Sequence, residues 1–123
     1  MQEEPITFVA DTATYDVIEG AHVAGLAIGN GTDGYLMFQR GEEADSDDLG
    51  IYVELNEQSN SGYGLIRECR IGREEVAVDV ALPLAGAVAI RVKLSVDDRA
   101  FRRFVEGMKK VFRGSDNQLM IDA

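Results

Sequence analysis

The side chains best suited to acid–base or nucleophilic catalysis near neutral pH are histidine and cysteine, and this chain contains one of each. His22 lies in a run of small residues, and strand-like alternation places Cys69 on the same face as Leu65 and Ile71. A free cysteine on such a core face usually behaves as a small buried hydrophobe. A His22–Cys69 pair is compatible with the spacing, but we predict that the chain has no catalytic residues and is not an enzyme.

The stretch Gly29-x-Gly31-x-x-Gly34 has the spacing of the dinucleotide-binding fingerprint. That fingerprint works because its glycines lead into a helix, whose N-terminus receives the pyrophosphate. Here the glycines lead into residues 35–40, an apolar run typical of a strand. One histidine and one cysteine are also too few for an ordinary zinc site. We therefore predict a glycine-rich hairpin loop, with no cofactor and no metal site.

The densest cluster of charge in the chain is the acidic run at residues 42–48. As a calcium loop that begins at Asp45, it would place Leu49 at a ligand position and Asn56 where a bidentate glutamate is required. Two other interpretations stay open, a solvated loop and a docking patch for a basic protein. For the docking patch we predict five partner-binding residues: Glu42, Glu43, Asp45, Asp47 and Asp48.

Residues 56–64 form an unusual polar segment that is almost free of aliphatic side chains. Its Asn, Ser and Gly residues favour turns and tolerate left-handed backbone conformations, which predicts a long hairpin loop between two strands. Tyr63 offers the rigid amphipathic surface that is common at protein interfaces. We predict that Asn60 and Tyr63 contribute to partner binding alongside the acidic run.

The net charge of −10 is spread unevenly along the chain. Residues 1–60 contain thirteen acids and one base, Arg40, whereas residues 91–113 contain eight bases and three acids. A surface this acidic repels phosphate backbones and anionic lipid, so we predict no nucleic-acid partner and no membrane partner. It attracts a basic protein and accelerates its association, although solubility alone would also account for the charge.

The N-terminus is acidic at Glu3 and Glu4, where a signal peptide needs positive charge followed by an apolar stretch. No segment approaches the roughly eighteen consecutive apolar residues of a membrane span. The single cysteine fits a reducing compartment. We therefore expect a cytoplasmic protein.

Alternation of apolar and polar residues with a period of two dominates the first three quarters of the chain. Short links connect the alternating runs, and they favour antiparallel pairing because a parallel pair needs a crossover of a dozen or more residues. Strands are predicted at residues 22–28, 35–40, 51–55, 65–71, 75–80 and 88–94, with weaker candidates at residues 6–10 and 15–18.

The period changes after the last of these strands. Ser95 and Asp98 resemble a capping box, and apolar residues then recur at three- and four-residue spacing from Phe101 onward. This pattern predicts one helix of about 17 residues that ends near Gly114. A short edge strand is predicted after it, at residues 119–121.

A chain of 123 residues is long enough for one domain and too short for two ordinary ones. We therefore predict a single domain, residues 1–123. Its predicted class is α+β, a mostly antiparallel β-sheet with one C-terminal α-helix packed on it.

Two segments of the sequence resemble the immunity protein 10 family. They are residues 35–40 (YLMFQR) and, after the acidic run, residues 52–66 (YVELNEQSNSGYGLI), and a looser similarity extends from Tyr15 to Phe112. The resemblance implies a protein that neutralises the toxin of a bacterial polymorphic toxin system and is usually encoded beside the toxin gene. It implies a cognate toxin domain as the partner, and the acidic charge suits a basic one, such as a nuclease whose cleft binds phosphate.

Two other classes of function remain open from the sequence. One is a small-ligand-binding or enzymatic domain with a pocket near His22 or Cys69. The other is a regulatory protein-binding subunit that has no toxin as its target. The oligomeric state is open as well, since an exposed edge strand is compatible with a homodimer.

Overall fold

Ten strands and one helix are formed by residues 4–41, 50–115 and 118–122, the part of the chain that the computed structural model describes. The strands form two five-stranded sheets, sheet A with the order β1-β9-β8-β7-β10 and sheet B with the order β2-β3-β4-β5-β6. In chain order the elements are β1 (Ile6–Ala10), β2 (Thr12–Ile18), β3 (Ala21–Ala27), β4 (Tyr35–Gly41), β5 (Tyr52–Leu55), β6 (Glu57–Tyr63), β7 (Ile66–Ile71), β8 (Glu75–Leu84), β9 (Ala87–Leu94), α1 (Asp98–Val111) and β10 (Leu119–Ile121).

Sheet B is antiparallel throughout and consists of consecutive strands, as the short links predicted. Alternation decides which side of each strand is buried. On β4, for example, Leu36 and Phe38 are fully buried, whereas Tyr35 and Met37 are half-buried on the opposite side. The glycine-rich link between β3 and β4 leads from strand to strand, which confirms the predicted hairpin loop.

Sheet A departs from the prediction of one mostly antiparallel sheet. Strands β7, β8 and β9 are antiparallel neighbours, but the edge strands β1 and β10 pair in parallel with β9 and β7. The predicted edge strand at residues 119–121 is confirmed as β10. The second sheet escaped prediction because two short links, at residue 11 and at residues 64–65, carry the chain from one sheet to the other instead of closing a hairpin.

Helix α1 packs on the inner side of sheet B, against β2, β3 and β4. Its N-cap is Asp97, whose carboxylate accepts a hydrogen bond from the amide of Ala100, so the predicted cap at Ser95 is wrong. The helix spans 14 residues, fewer than predicted, because its C-cap is already Phe112. In the described part of the chain, no helix is long and apolar enough to cross a membrane.

One hydrophobic core joins the inner faces of both sheets to the helix. Its largest fully buried side chains are Phe38, Phe104 and Phe112, and the rings of Phe38 and Phe112 lie 6.5 Å apart between centroids. Burial of a large apolar side chain contributes about 1.5–3 kcal/mol each. The core therefore packs against the inner side of sheet B, and the other side of that sheet faces solvent.

Residues 57–63 form strand β6, so the predicted long hairpin loop is wrong. β6 is the outermost strand of sheet B, and its register with β5 shifts between Glu54 and Leu55. An edge strand tolerates many polar side chains because water can reach its free side. The polar composition that suggested a loop therefore reflects an edge position.

Candidate partner-binding surface

Three of the chain's four tyrosines lie on the solvent-facing side of sheet B. Tyr52 and Tyr63 are cross-strand partners on β5 and β6, and Tyr35 begins β4 on the same side as Met37. The side chain of Tyr63 is 50% exposed, whereas Tyr35 and Tyr52 are half-buried. We define the tyrosine surface as these four residues together with Glu54, the cross-strand partner of Met37.

The carboxylate of Glu54 fixes two of the tyrosines. The hydroxyl of Tyr35 donates a short hydrogen bond to Oε2 of Glu54, and the hydroxyl of Tyr52 donates to Oε1 at 2.5 Å. These bonds favour the protonated phenols, and together with burial they raise the pKa of Tyr35 to about 12 and shift the pKa of Tyr52 upward. Because the phenols stay protonated at neutral pH, the cluster is suited to recognition and not to proton transfer.

Aromatic packing orders the third tyrosine. The ring centroids of Tyr52 and Tyr63 lie 5.2 Å apart with a tilt of 54° between the ring planes. A pair with this geometry contributes about 0.5–1.5 kcal/mol beyond the area that it buries. The three phenol rings are therefore held in place before any partner arrives, with one of them largely open to solvent.

A shallow groove of about 520 Å³ borders the tyrosine surface. Its floor is β3, where the outward positions are small residues such as Gly25 and Ala27, and its wall is formed by Tyr35 and Met37. Small side chains between larger ones leave room for a protruding side chain of another protein. The solvent-facing side of sheet B therefore combines a concave groove with aromatic side chains.

The predicted site residues have three different outcomes. Tyr63 lies in the tyrosine surface, and Asn60 lies half-buried on β6 near the register shift. The acidic residues Glu42, Glu43, Asp45, Asp47 and Asp48 lie outside the described residues. The described part of the chain resumes at residue 50, after the acidic run. The next residue, Ile51, accepts a hydrogen bond of 3.1 Å at its carbonyl from the amide of Gly64, which follows Tyr63 in the chain. The first described residues after the acidic run therefore lie close to Tyr63.

Sequence reasoning missed Tyr35, Met37, Tyr52 and Glu54 as members of one surface. The available signal was alternation, since Tyr35 and Met37 occupy the outward positions of one predicted strand and Tyr52 and Glu54 those of another. Alternation assigns a side to each residue but does not tell which strands are neighbours. The register of β4, β5 and β6 was needed to bring the four residues together.

The two residues considered for catalysis take structural positions in different sheets. Nδ1 of His22 lies 2.7 Å from the hydroxyl of Tyr15, with only 7% of the His22 side chain exposed. Cys69 is fully buried on β7, and burial raises the pKa of its thiol to about 12. A thiol with that pKa is not a nucleophile at neutral pH. Neither residue lines the groove on sheet B.

Metal-binding chemistry has no support in the described ranges. Residues 4–41, 50–115 and 118–122 contain no group of three or more His, Cys, Asp or Glu side chains placed to hold a metal ion. The phenol rings and the thioether on sheet B instead match the side chains enriched at protein interfaces.

Comparison with protein families identifies a family for this chain. The model of the immunity protein 10 family matches residues 9–102, which cover more than half of the chain and include the tyrosine surface. The comparison with curated proteins gives no match. The family match confirms the resemblance seen in the sequence, and the family's role points to toxin neutralisation. The chain belongs to the immunity protein 10 family.

Proposed function

We propose that this protein neutralises a cognate toxin domain by binding it through the solvent-facing side of sheet B. The family supports the general role. The observation that carries the location is the tyrosine surface, in which Tyr35 and Tyr52 bond to one carboxylate and Tyr63 packs on Tyr52, beside a groove. No catalytic group is needed for this function, because an immunity protein acts by occupying its target.

The chemistry of the tyrosine surface suits tight binding. A tyrosine has two rotatable side-chain angles, so it offers a large contact area at a low cost in conformational entropy. Hydrogen bonds to Glu54 reduce that cost further for Tyr35 and Tyr52, since both hydroxyls are already positioned. Tyr63, half-exposed at the edge, is the ring that gains most by burial and is our candidate for the main energetic contact.

The net charge of the chain indicates which charge its partner should carry. The chain carries a net charge of −10, and the acidic run at residues 42–48 contributes five of its acidic residues. A toxin that acts on nucleic acid presents a basic cleft, since it must bind phosphate. We therefore propose a basic toxin domain, such as a nuclease, and an association that weakens as salt screens the attraction.

The first test is co-expression with the toxin domain encoded beside the gene, scored by cell survival. Wild-type protein is expected to rescue growth. Replacing Tyr63 with alanine should weaken binding of the purified toxin domain by about tenfold or more, as expected for an aromatic hot spot. Calorimetric titration against a catalytically inactive toxin domain measures this loss directly.

The matched control is Val9→Ala. Val9 lies on the solvent-facing side of sheet A and is 52% exposed, close to the exposure of Tyr63. Its truncation should leave both rescue and affinity unchanged. Rescue with equal losses from the two variants would keep the function and reject sheet B as the site. Failure of soluble wild-type protein to rescue growth or to bind would reject the proposed function for this toxin domain.

A further inference from the structure

The tip of the β8–β9 hairpin exposes apolar side chains that belong neither to the core nor to the tyrosine surface. Residues 80–90 contain no charged side chain and no polar side chain, although the chain as a whole is 28% charged. We call residues 81–88 the apolar tip. Leu82 is 62% exposed and Val88 is 42% exposed, whereas Leu84 turns inward to the core. Exposed apolar side chains in a contiguous group commonly mark interaction sites.

The turn at the apolar tip places an alanine in a backbone conformation that alanine rarely adopts. Leu84 pairs with Ala87, so Ala85 and Gly86 are the two central residues of the turn, and both have positive φ, +50° and +83°. Such a turn strongly favours asparagine, aspartate or glycine at its first central position. Alanine pays a steric cost there of roughly 1–2 kcal/mol. Strain of this kind is often retained at functional sites. Of the favoured residues, asparagine and aspartate would place a polar group on the tip, and glycine would remove an apolar methyl group.

The apolar tip lies at the same end of the molecule as Tyr63. The amide of Ala81 donates to the carbonyl of Leu65 at 2.7 Å, which fastens the hairpin to the link between β6 and β7. Leu65 in turn packs over Gly62 on the inner side of β6, whereas the next residue, Tyr63, faces the outer side. The tyrosine surface and the apolar tip are therefore joined by consecutive contacts through one short link. To contact both, a partner must extend from the outer side of sheet B around its β6 edge.

We propose that the apolar tip is a second contact element, which inserts Leu82 and Val88 into an apolar recess of the toxin domain. This inference rests on the proposed function and deepens it, because it specifies an apolar recess flanked by basic surface as the feature that the toxin domain must present. A second copy of this chain is a poorer occupant. Two molecules that each carry a charge of −10 repel one another, whereas a basic toxin domain is attracted.

The test uses Leu82→Gln and Val88→Thr in the full chain, each titrated calorimetrically with the inactive toxin domain. Leu82→Gln should weaken binding by about tenfold or more, and Val88→Thr by a smaller factor, since each loses apolar burial. Removal of apolar area should also make the heat-capacity change of binding less negative. Both side chains are exposed in the free protein, so the melting temperature should change little.

Val9→Gln is the control for Leu82→Gln, because it makes the same kind of change at an exposed apolar residue of sheet A. Unchanged affinity and heat capacity in both tip variants, with Tyr63→Ala weakened, would overturn the second contact and leave the proposed function standing. Loss of self-association instead of toxin binding would assign the tip to a second copy and overturn the inference. Absence of binding by wild-type protein would overturn both proposals.

Ala85→Asn provides an independent readout. Asparagine accepts positive φ more readily than alanine, so this variant should melt at a higher temperature. Its side chain adds a polar group to the apolar tip, so it should bind the toxin domain more weakly while being more stable. An increase in stability with no loss of affinity would show that the strained alanine does not serve binding, and would count against the inference.

Discussion

The two sheets of this protein present opposite kinds of surface to solvent. On sheet A the outward side chains are mostly charged and pair among themselves. Arg91 and Asp79 lie 3.3 Å apart between Nη1 and Oδ1, Arg70 and Glu68 lie 3.6 Å apart, and Glu75 is the cross-strand partner of Lys93. On sheet B the outward side chains include three tyrosines, a methionine and small residues, with Glu54 hydrogen-bonded by phenols instead of by a cation.

The difference concerns the cost of removing water. Covering sheet A would desolvate ion pairs that already satisfy one another, and the energy of such pairs seldom repays that cost. Covering sheet B would bury phenol rings and small side chains, and the hydroxyls of Tyr35 and Tyr52 are already hydrogen-bonded, so less is lost when water leaves. Both faces are built from alternating strands, and only the choice of outward residues distinguishes the solvated face from the proposed binding surface.

The largest effect on the proposed difference between the two sheets is expected when a positive charge is added to sheet B. Gln39 is half-buried beside Tyr52 in the register of β4 and β5. Gln39→Lys should weaken binding of a basic toxin domain by about 100-fold, because like charges brought together at an interface cost several kcal/mol. Surface plasmon resonance with the inactive toxin domain measures the change.

Two matched variants sharpen that test. Gln39→Glu has a similar size and the opposite charge, so it should bind at least as well as wild-type protein. Thr7→Lys adds the same charge to the exposed outer side of sheet A and should have little effect. Equal weakening by the two lysines would mean that net charge matters and position does not, and the two faces would then be equivalent.

A second prediction tests the inner support of sheet B. A β-carbon at Gly107 would lie 2.4 Å from Cδ1 and 2.8 Å from Cβ of Tyr15, so helix α1 sits on β2 as closely as glycine allows. Alanine normally stabilises a helix relative to glycine by up to about 1 kcal/mol. Here we expect Gly107→Ala to lower the free energy of unfolding by roughly 1–3 kcal/mol, because the overpacked helix must move.

Urea denaturation measures this loss, with Glu106→Ala as the exposed control on the same helix. Amide hydrogen exchange then locates it. Because α1 packs on β2, β3 and β4, exchange should accelerate in sheet B more than in sheet A. An unchanged stability would show that Tyr15 shifts at no cost, and that the close approach of helix and sheet does not constrain the proposed binding face.

The sequence predicted individual elements much better than their assembly. Alternation located the strands, and the apolar stripe that begins at Phe101 located the helix, because both patterns depend on neighbours in the chain. The two-sheet arrangement and the parallel edge strands β1 and β10 depend on pairings between distant residues, which periodicity does not encode. For the same reason, only part of the candidate site could be predicted from the sequence. Tyr63 stood out by its composition, whereas Tyr35, Tyr52 and Glu54 become one surface only through register.

A third prediction concerns the acidic run, whose role stays a prediction. Changing Asp45, Asp47 and Asp48 together to asparagine should slow association with a basic toxin domain several-fold at low salt, and the difference should fade at high salt. The dissociation rate should hardly change. The matched triple is Glu68→Gln, Glu75→Gln and Asp79→Asn on sheet A, which alters the net charge equally. Equal slowing by both triples would reduce the acidic run to its contribution to net charge.

The smallest expected effect tests whether the tyrosine surface is preordered. In Glu54→Gln the carboxamide keeps one acceptor oxygen and loses the negative charge, so at least one of the two phenols loses its acceptor. The pKa of Tyr35, raised to about 12 in the wild-type protein, should then fall toward its ordinary value near 10. Absorbance of phenolate near 295 nm, followed through an alkaline titration, reports the change.

The same bond predicts how stability depends on pH. Because the pKa of Tyr35 is higher in the folded state than in the unfolded chain, its contribution to stability is complete below about pH 10 and is lost as pH rises toward 12. Glu54→Gln should flatten that decline, whereas Glu68→Gln on sheet A, where the carboxylate pairs with Arg70, should leave it unchanged. Identical phenol titrations in wild-type protein and Glu54→Gln would mean that the tyrosines are not held before binding. The advantage of sheet B over sheet A would then come from composition alone.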